Sequence, residues 1–218
     1  MGLFQLDSYV LLLSGNDCLT FIDGLSTNKV TGTCTTVFTD QNAKIIDMVD
    51  VITVGPNIAL VGHAGFKENL VSHLISKILQ QDVTIRDITL NNKVYLSTEE
   101  CSLSEGVTVV ETFRGWLVVA SNATQLQPTM TLEEFNDYRV EHLIPHQGYE
   151  ITSNNHPLAC GLGHLVHEAK GCYIGQEILA RMRSRGRQGK ELVRLENPVE
   201  NPTTSGKTHS LAIVRTSN

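Results

Sequence analysis

The sequence predicts an α+β fold, on three observations. Short β-branched runs outnumber amphipathic stretches, the helical stretches fall between groups of strands, and Gly, Pro and Asn mark the joints. With 218 residues, 41% of them hydrophobic and 18% charged, the chain can bury a sizeable core as one large or two small domains.

Taken in order, Tyr9-Val-Leu-Leu-Leu is an apolar strand, and Ser14-Gly-Asn-Asp is a turn offering Asn16 or Asp17 as a helix cap. Cys18, Phe21, Ile22 and Leu25 then fall at helical spacing, up to Ser26-Thr-Asn28. Residues 44–54 form a long strand, which Gly55-Pro-Asn57 turns into a second, Ile58 to Val61. Phe66, Leu70, Leu74 and Ile78 repeat every fourth residue and predict a helix from Gly65 to about Leu79. Further strands are expected at 83–88, 93–97, 107–111 and 116–120. Thr131 and Glu134 have capping-box spacing and open a helix that runs to about His142, before Pro145 and Gly148. A helix from about Ile174 to Arg183 follows a turn-rich stretch, and residues 197–208, rich in Asn, Pro, Thr and Ser, read as a linker or long loop before a last strand, Leu211 to Val214.

Composition narrows the function. A net charge of -6 excludes a surface that binds nucleic acid along its whole length. Five cysteines without a CxxC pair suit a reducing compartment. No apolar run approaches a membrane span, and the first residues lack the features of a signal peptide, so a cytoplasmic protein with no membrane partner is expected.

Candidate chemistry concentrates near Cys172. It stands between Gly171 and Gly175 before an expected helix, whose free N–H groups and positive end favour a thiolate; the alternative is a small buried hydrophobe. Arg181, Arg183, Arg185, Arg187 and Lys190 then place five of the 17 basic residues within ten positions, either a solvated basic face or a site for an anionic ligand tail or a nucleic-acid backbone. Cys160, His164, His167 and Cys172 are ligand-capable, but their spacing matches no common zinc pattern, so no metal site is expected.

The octapeptide Lys170-Gly-Cys-Tyr-Ile-Gly-Gln-Glu177, with Arg181 following, resembles the signature of YgfZ-type folate-binding proteins, relatives of the glycine cleavage T-protein that act in iron–sulfur cluster assembly or repair and affect tRNA modification. The likeness extends to Gly15-Asn-Asp17, Phe21 to Asn28, Lys44-Ile-Ile-Asp47, His63-Ala64 and Arg139-Val-Glu-His-Leu-Ile-Pro145. It implies an aminomethyltransferase-like folate-binding region over 1–195, a ferredoxin-like unit inserted at about 44–120, and a vestigial C-terminal barrel segment over 196–218. It also implies tetrahydrofolate, or a one-carbon derivative, as cofactor. Cys172 and Asp47 are the implied reactive residues, and Glu141, Lys170, Tyr173, Gln176, Arg139, Arg181 and His63 the implied folate contacts, with Glu141 facing the pterin. The implied partners are iron–sulfur assembly proteins or client enzymes, with a tRNA contact through the Arg181–Lys190 cluster. An alternative is a folate-dependent aminomethyl or methylene transferase. Met48 stands where the T-protein pattern has a second Asp, which weighs against that transfer, and His63 stands where the family often has Asn.

Overall fold

The computed structural model describes residues 2–101, 105–186 and 188–216. In chain order the elements are β1 (Leu3–Gln5), β2 (Ser8–Ser14), α1 (Cys18–Leu25), β3 (Cys34–Thr39), β4 (Ile45–Val54), β5 (Asn57–His63), α2 (Lys67–Ile75), β6 (Thr84–Asp87), β7 (Asn92–Ser97), β8 (Val107–Thr112), β9 (Gly115–Ser121), α3 (Leu132–Glu141), α4 (Gln176–Ser184), β10 (Lys190–Glu196), β11 (Thr204–Ser205) and β12 (His209–Arg215). The strands form three antiparallel sheets with orders β3-β4-β5-β2-β6, β1-β7-β9-β8 and β10-β12-β11.

The five-stranded sheet is the middle layer, so the apolar residues of β4 are buried on both faces, and only Asp47 and Asp50 interrupt them before Thr53. Val49 and Val51 pack with Phe21 and Ile22 of α1 and Leu70 and Leu74 of α2. Ile52, Ala59 and Val61 pack instead with Val94, Leu96 and Leu117 of the four-stranded sheet and with Phe135 of α3. Phe4 stacks on Phe135 with ring centroids 4.1 Å apart, fixing α3 against β1. A third cluster, Val140 with Leu192 and Leu211, joins α3 to the three-stranded sheet. Burying Leu74 completely contributes roughly 2 kcal/mol by itself.

Local chemistry sets the element ends. Asp17 caps α1 by position, but its side chain accepts from the Asp82 N–H at 2.8 Å, tying the turn to the start of β6. Gly15, at φ 129°, lies against the Asp82 carbonyl where a Cβ would collide. The capping box of α3 is present: Glu134 N–H donates to Thr131 Oγ1 at 3.2 Å, and Thr131 N–H donates to Glu134 Oε2 at 2.8 Å.

Several expectations are corrected. β1, β3, β10 and β11 are not expected from the sequence; β1 and β11 are too short to show a period, β3 follows the turn-like Thr31-Gly-Thr33, and β10 lies in the charged stretch after the arginine cluster. The helix expected to reach Leu79 stops at Ile75; Ile75 and Leu79 are 58% and 82% exposed, and only Ile78 of the expected last turn packs on the core. Residues 44–120 divide between two sheets, β4 to β6 in one and β7 to β9 in the other. Residues 197–208 do not run free: Thr203 and Thr204 point inward onto Glu150, and Asn197 bonds to Gly206 and Ser210.

Candidate functional site

Asp47, on β4, is wholly buried. Its Oδ2 accepts the Tyr9 hydroxyl proton at 2.7 Å, and its Oδ1 accepts from the Met48 N–H at 2.8 Å and, more weakly, from Gln147 Nε2 at 3.4 Å. Gln147 is held in place by the Met48 carbonyl at 2.8 Å. Gly62 pairs with Tyr9 across the sheet, and a Cβ there would strike both the phenol and the Asp47 carboxylate. Burial pushes Asp47 up to about 7 despite its donors, and burial together with the Asp47 charge pushes the Tyr9 phenol up as well.

Next to Asp47 lies a pocket of about 10 Å³ whose walls include Asp50, His63, Arg114, His146 and Gln147. Asp50 accepts from Thr35 Oγ1 at 2.7 Å and is ion-paired with Arg114, which enters from the β8–β9 turn. The His63 and His146 rings meet edge to face at 5.7 Å. Burial, with Arg139 and Arg114 nearby, lowers His146 to about 2, and burial also lowers His63, so both rings are neutral at pH 7. The His63 Nδ1 accepts from the Gly65 N–H at 3.1 Å. Sequence reasoning found Asp47 and His63 here and missed Tyr9, Asp50, Arg114, His146 and Gln147. Asp50 left a trace, since a second carboxylate inside an apolar strand needs a buried partner.

The octapeptide forms a pinned loop. Lys170 Nζ is buried and donates to the carbonyls of Asp23, Ser26 and Asn28 at 2.6, 2.7 and 2.6 Å, with Asp23 Oδ1 at 3.2 Å. It therefore caps the C-terminal end of α1, where a cation suits the helix dipole. Tyr173 is buried and stacks on Lys170, with Nζ 5.5 Å from the ring centroid. Thr39 Oγ1 donates to the Ile174 carbonyl at 2.6 Å, and Gly175 adopts φ 86° against the Asp40 carbonyl, 2.7 Å from where a Cβ would sit. Between these anchors Cys172 is exposed. It precedes the Gly175 cap of α4 and so lies outside the first turn, where the helix was expected to support a thiolate. Tyr173 and Gln176 line a groove of about 370 Å³ together with Val166, His167, Leu179 and Arg183.

The remaining expected site residues scatter. Arg139 is fully buried and bonds to Glu150 Oε2 at 3.0 Å, Asn136 Oδ1 at 2.8 Å and Thr204 Oγ1 at 2.9 Å. Glu141 is exposed at the end of α3, and the buried carboxylate of this stretch is Glu150. Arg181 is exposed and pairs with Glu177 at 3.1 Å, whereas Arg183 donates to the Val166 and Gly163 carbonyls at 2.9 and 2.8 Å. Arg185 and Lys190 are exposed, and Arg187 lies outside the described residues. Cys160 is buried, with its thiol on the Glu150 carbonyl, while Cys172 is at the surface; among the described residues no group of three His, Cys, Asp or Glu could hold a metal ion.

A tetrahydrofolate pterin does not fit beside Asp47. The pocket is at the lower limit for one water, against the several hundred Å³ of ordinary ligand sites, and Arg114 and Gln147 are among its walls. No helix among the described residues is long and apolar enough to cross a membrane. No protein-family model matches the sequence, and no curated protein matches it. Among solved structures, the fold is similar to the crystal structure of glycine cleavage system aminomethyltransferase T from Bartonella henselae, with a TM-score of 0.77 and 12% identity, covering 98% of this chain and 78% of that one. The chain has the aminomethyltransferase T fold.

Proposed function

We propose that this protein acts in iron–sulfur cluster assembly or repair, with Cys172 as the group that meets the cluster or its iron and sulfur precursors. The supporting observation is the exposed thiol at the crest of a loop anchored on one side by Lys170 to α1 and on the other by Ile174 and Gly175 to β3 and the turn after it. A thiol that must exchange a cargo with a partner needs access and a fixed position, and this loop supplies both. The partner is a cluster-assembly protein or a client enzyme. The resemblance implies a ferredoxin-like unit at about 44–120; we read β2-α1-β4-β5-α2-β6, residues 8–87, as that unit instead, and the three-stranded sheet as what remains of the barrel.

Aminomethyl transfer is not favoured. The oxygens of Asp47 are already engaged by Tyr9, Met48 and Gln147, and the adjoining space admits nothing the size of a substrate. RNA binding by the arginine cluster is weakened because Arg183 is committed to carbonyls and Arg181 to Glu177.

The test is complementation in cells lacking a YgfZ-type protein, with the activity of a cluster-dependent enzyme as readout. Cys172→Ala is expected to lose complementation while keeping wild-type thermal stability, since the side chain is exposed. Full activity of that variant would remove the cysteine from the mechanism.

A further inference from the structure

Arg114 sits in the middle of the molecule although its own segment, the turn between β8 and β9, belongs to the outer sheet. It is 6% exposed, and its guanidinium is paired with Asp50 on the central strand β4. The turn cannot easily withdraw it. Arg114 N–H donates to Thr112 Oγ1 at 3.2 Å, the Arg114 carbonyl accepts from Tyr138 of α3 at 3.1 Å, and Gly115 at φ 125° lies so close to Ser97 that a Cβ would be 2.6 Å from its carbonyl oxygen. Asp50 is fixed from the other side by Thr35. The guanidinium is thus held from β3, β4, the turn and α3 together.

One polar atom escapes this arrangement: Arg114 Nε is buried without a hydrogen-bond partner among the described residues. Such a donor carries a desolvation cost unless something small reaches it. The adjoining pocket, walled by His63, His146 and Gln147 as well, has about 10 Å³, room for one water.

We propose that Arg114 sets the size limit of the pocket beside Asp47, excluding bicyclic ligands such as pterins and leaving space only for a water-sized guest at Nε. A bicyclic ring beside Asp47 needs far more than the roughly 10 Å³ present, and Arg114 is one of the walls, so making room there means moving the buried Arg114–Asp50 pair. Bulk does the excluding, and the Asp50 and Thr35 contacts keep the bulk in place. This assignment is independent of any role of Cys172, and its failure leaves that role untouched.

Calorimetric titration of tetrahydrofolate into the full chain tests it. The wild type is expected to show no tight binding. The pair Asp50→Ser with Arg114→Ala removes both buried charges and the bulk, and is expected to bind at least about a hundredfold more tightly, the scale on which breaking a buried pair registers in an equilibrium constant. The pair Asp50→Asn with Arg114→Gln keeps much of the bulk without the charges and is expected to stay closed. Circular dichroism checks the folding of each, and Arg114→Ala alone replaces the small-residue pair if that pair does not fold. Tight binding by the wild type overturns the proposal, as does a folded small-residue variant that remains blind to tetrahydrofolate, or equal binding by the two pairs.

Discussion

Tyr9 donates its phenolic proton to Asp47 at 2.7 Å inside a part of the fold that excludes water from both. The native Asp47 keeps its proton up to about pH 7, whereas a carboxyl in the unfolded chain releases it near 3.8. Between those values the native state binds more protons, so the stability contributed by Asp47 falls as pH rises from about 4 to about 7 and is level above that. Urea denaturation at pH 4, 5, 6 and 7 should show the wild type losing roughly 3–4 kcal/mol relative to Asp47→Asn over this range. Parallel curves for the two proteins would mean that Asp47 is ionised throughout.

His146 gives the opposite slope. Its native value is about 2 against 6.5 in the unfolded chain, so the unfolded state binds the extra proton and stability is lost as pH falls below about 6.5. His146→Phe keeps a ring among Phe135, Tyr149 and His63 and should remove about 1.4 kcal/mol of acid sensitivity per pH unit between 6 and 4. Acid unfolding followed by tryptophan fluorescence, through the one Trp, checks this.

Lys170→Met should destabilise the protein by about 2–4 kcal/mol, because three partly buried carbonyls lose a charged donor at once. Lys170→Arg should not restore stability, since a planar guanidinium does not converge on three acceptors as a compact ammonium does. Thermal melts of the two variants beside the wild type decide it.

How much of this was legible follows from how far each contact reaches along the chain. The capping box of α3 spans three residues and was plain in the sequence. So was the long strand at 44–54, which the structure has as β4. Lys170 belongs to a motif that sequence reading assigned to the ligand, yet its acceptors lie more than 140 residues upstream, and only the folded chain shows it as an anchor. Arg114 carries no local signature, because Asp50 is 64 residues away and the turn between β8 and β9 gives no sign of what it faces. Glu141 and Glu150 both follow Arg139 closely, and periodicity could not say which of them turns inward.

Arg139→Met should cost about 3–5 kcal/mol by leaving Glu150 buried without its ion-pair partner. Thr204→Val, which removes one hydroxyl shared by Arg139 and Glu150, should cost about 1–2 kcal/mol. Chemical denaturation of both variants, and of the double variant, gives the coupling between them.

That shared hydroxyl also bears on the order in which a growing chain can fold. Arg139 and Glu150 are made long before Thr203 and Thr204, and until those two residues arrive the Glu150 Oε1 lacks both hydroxyl donors that it has in the finished molecule. The apolar clusters upstream can collapse during synthesis, but the junction of α3 with the last sheet also needs Leu211 of β12, the strand that β11 pairs with, and so closes only after β12 has emerged. The hydroxyl donors of Glu150 are thus completed late, by a segment whose composition looks like a spacer.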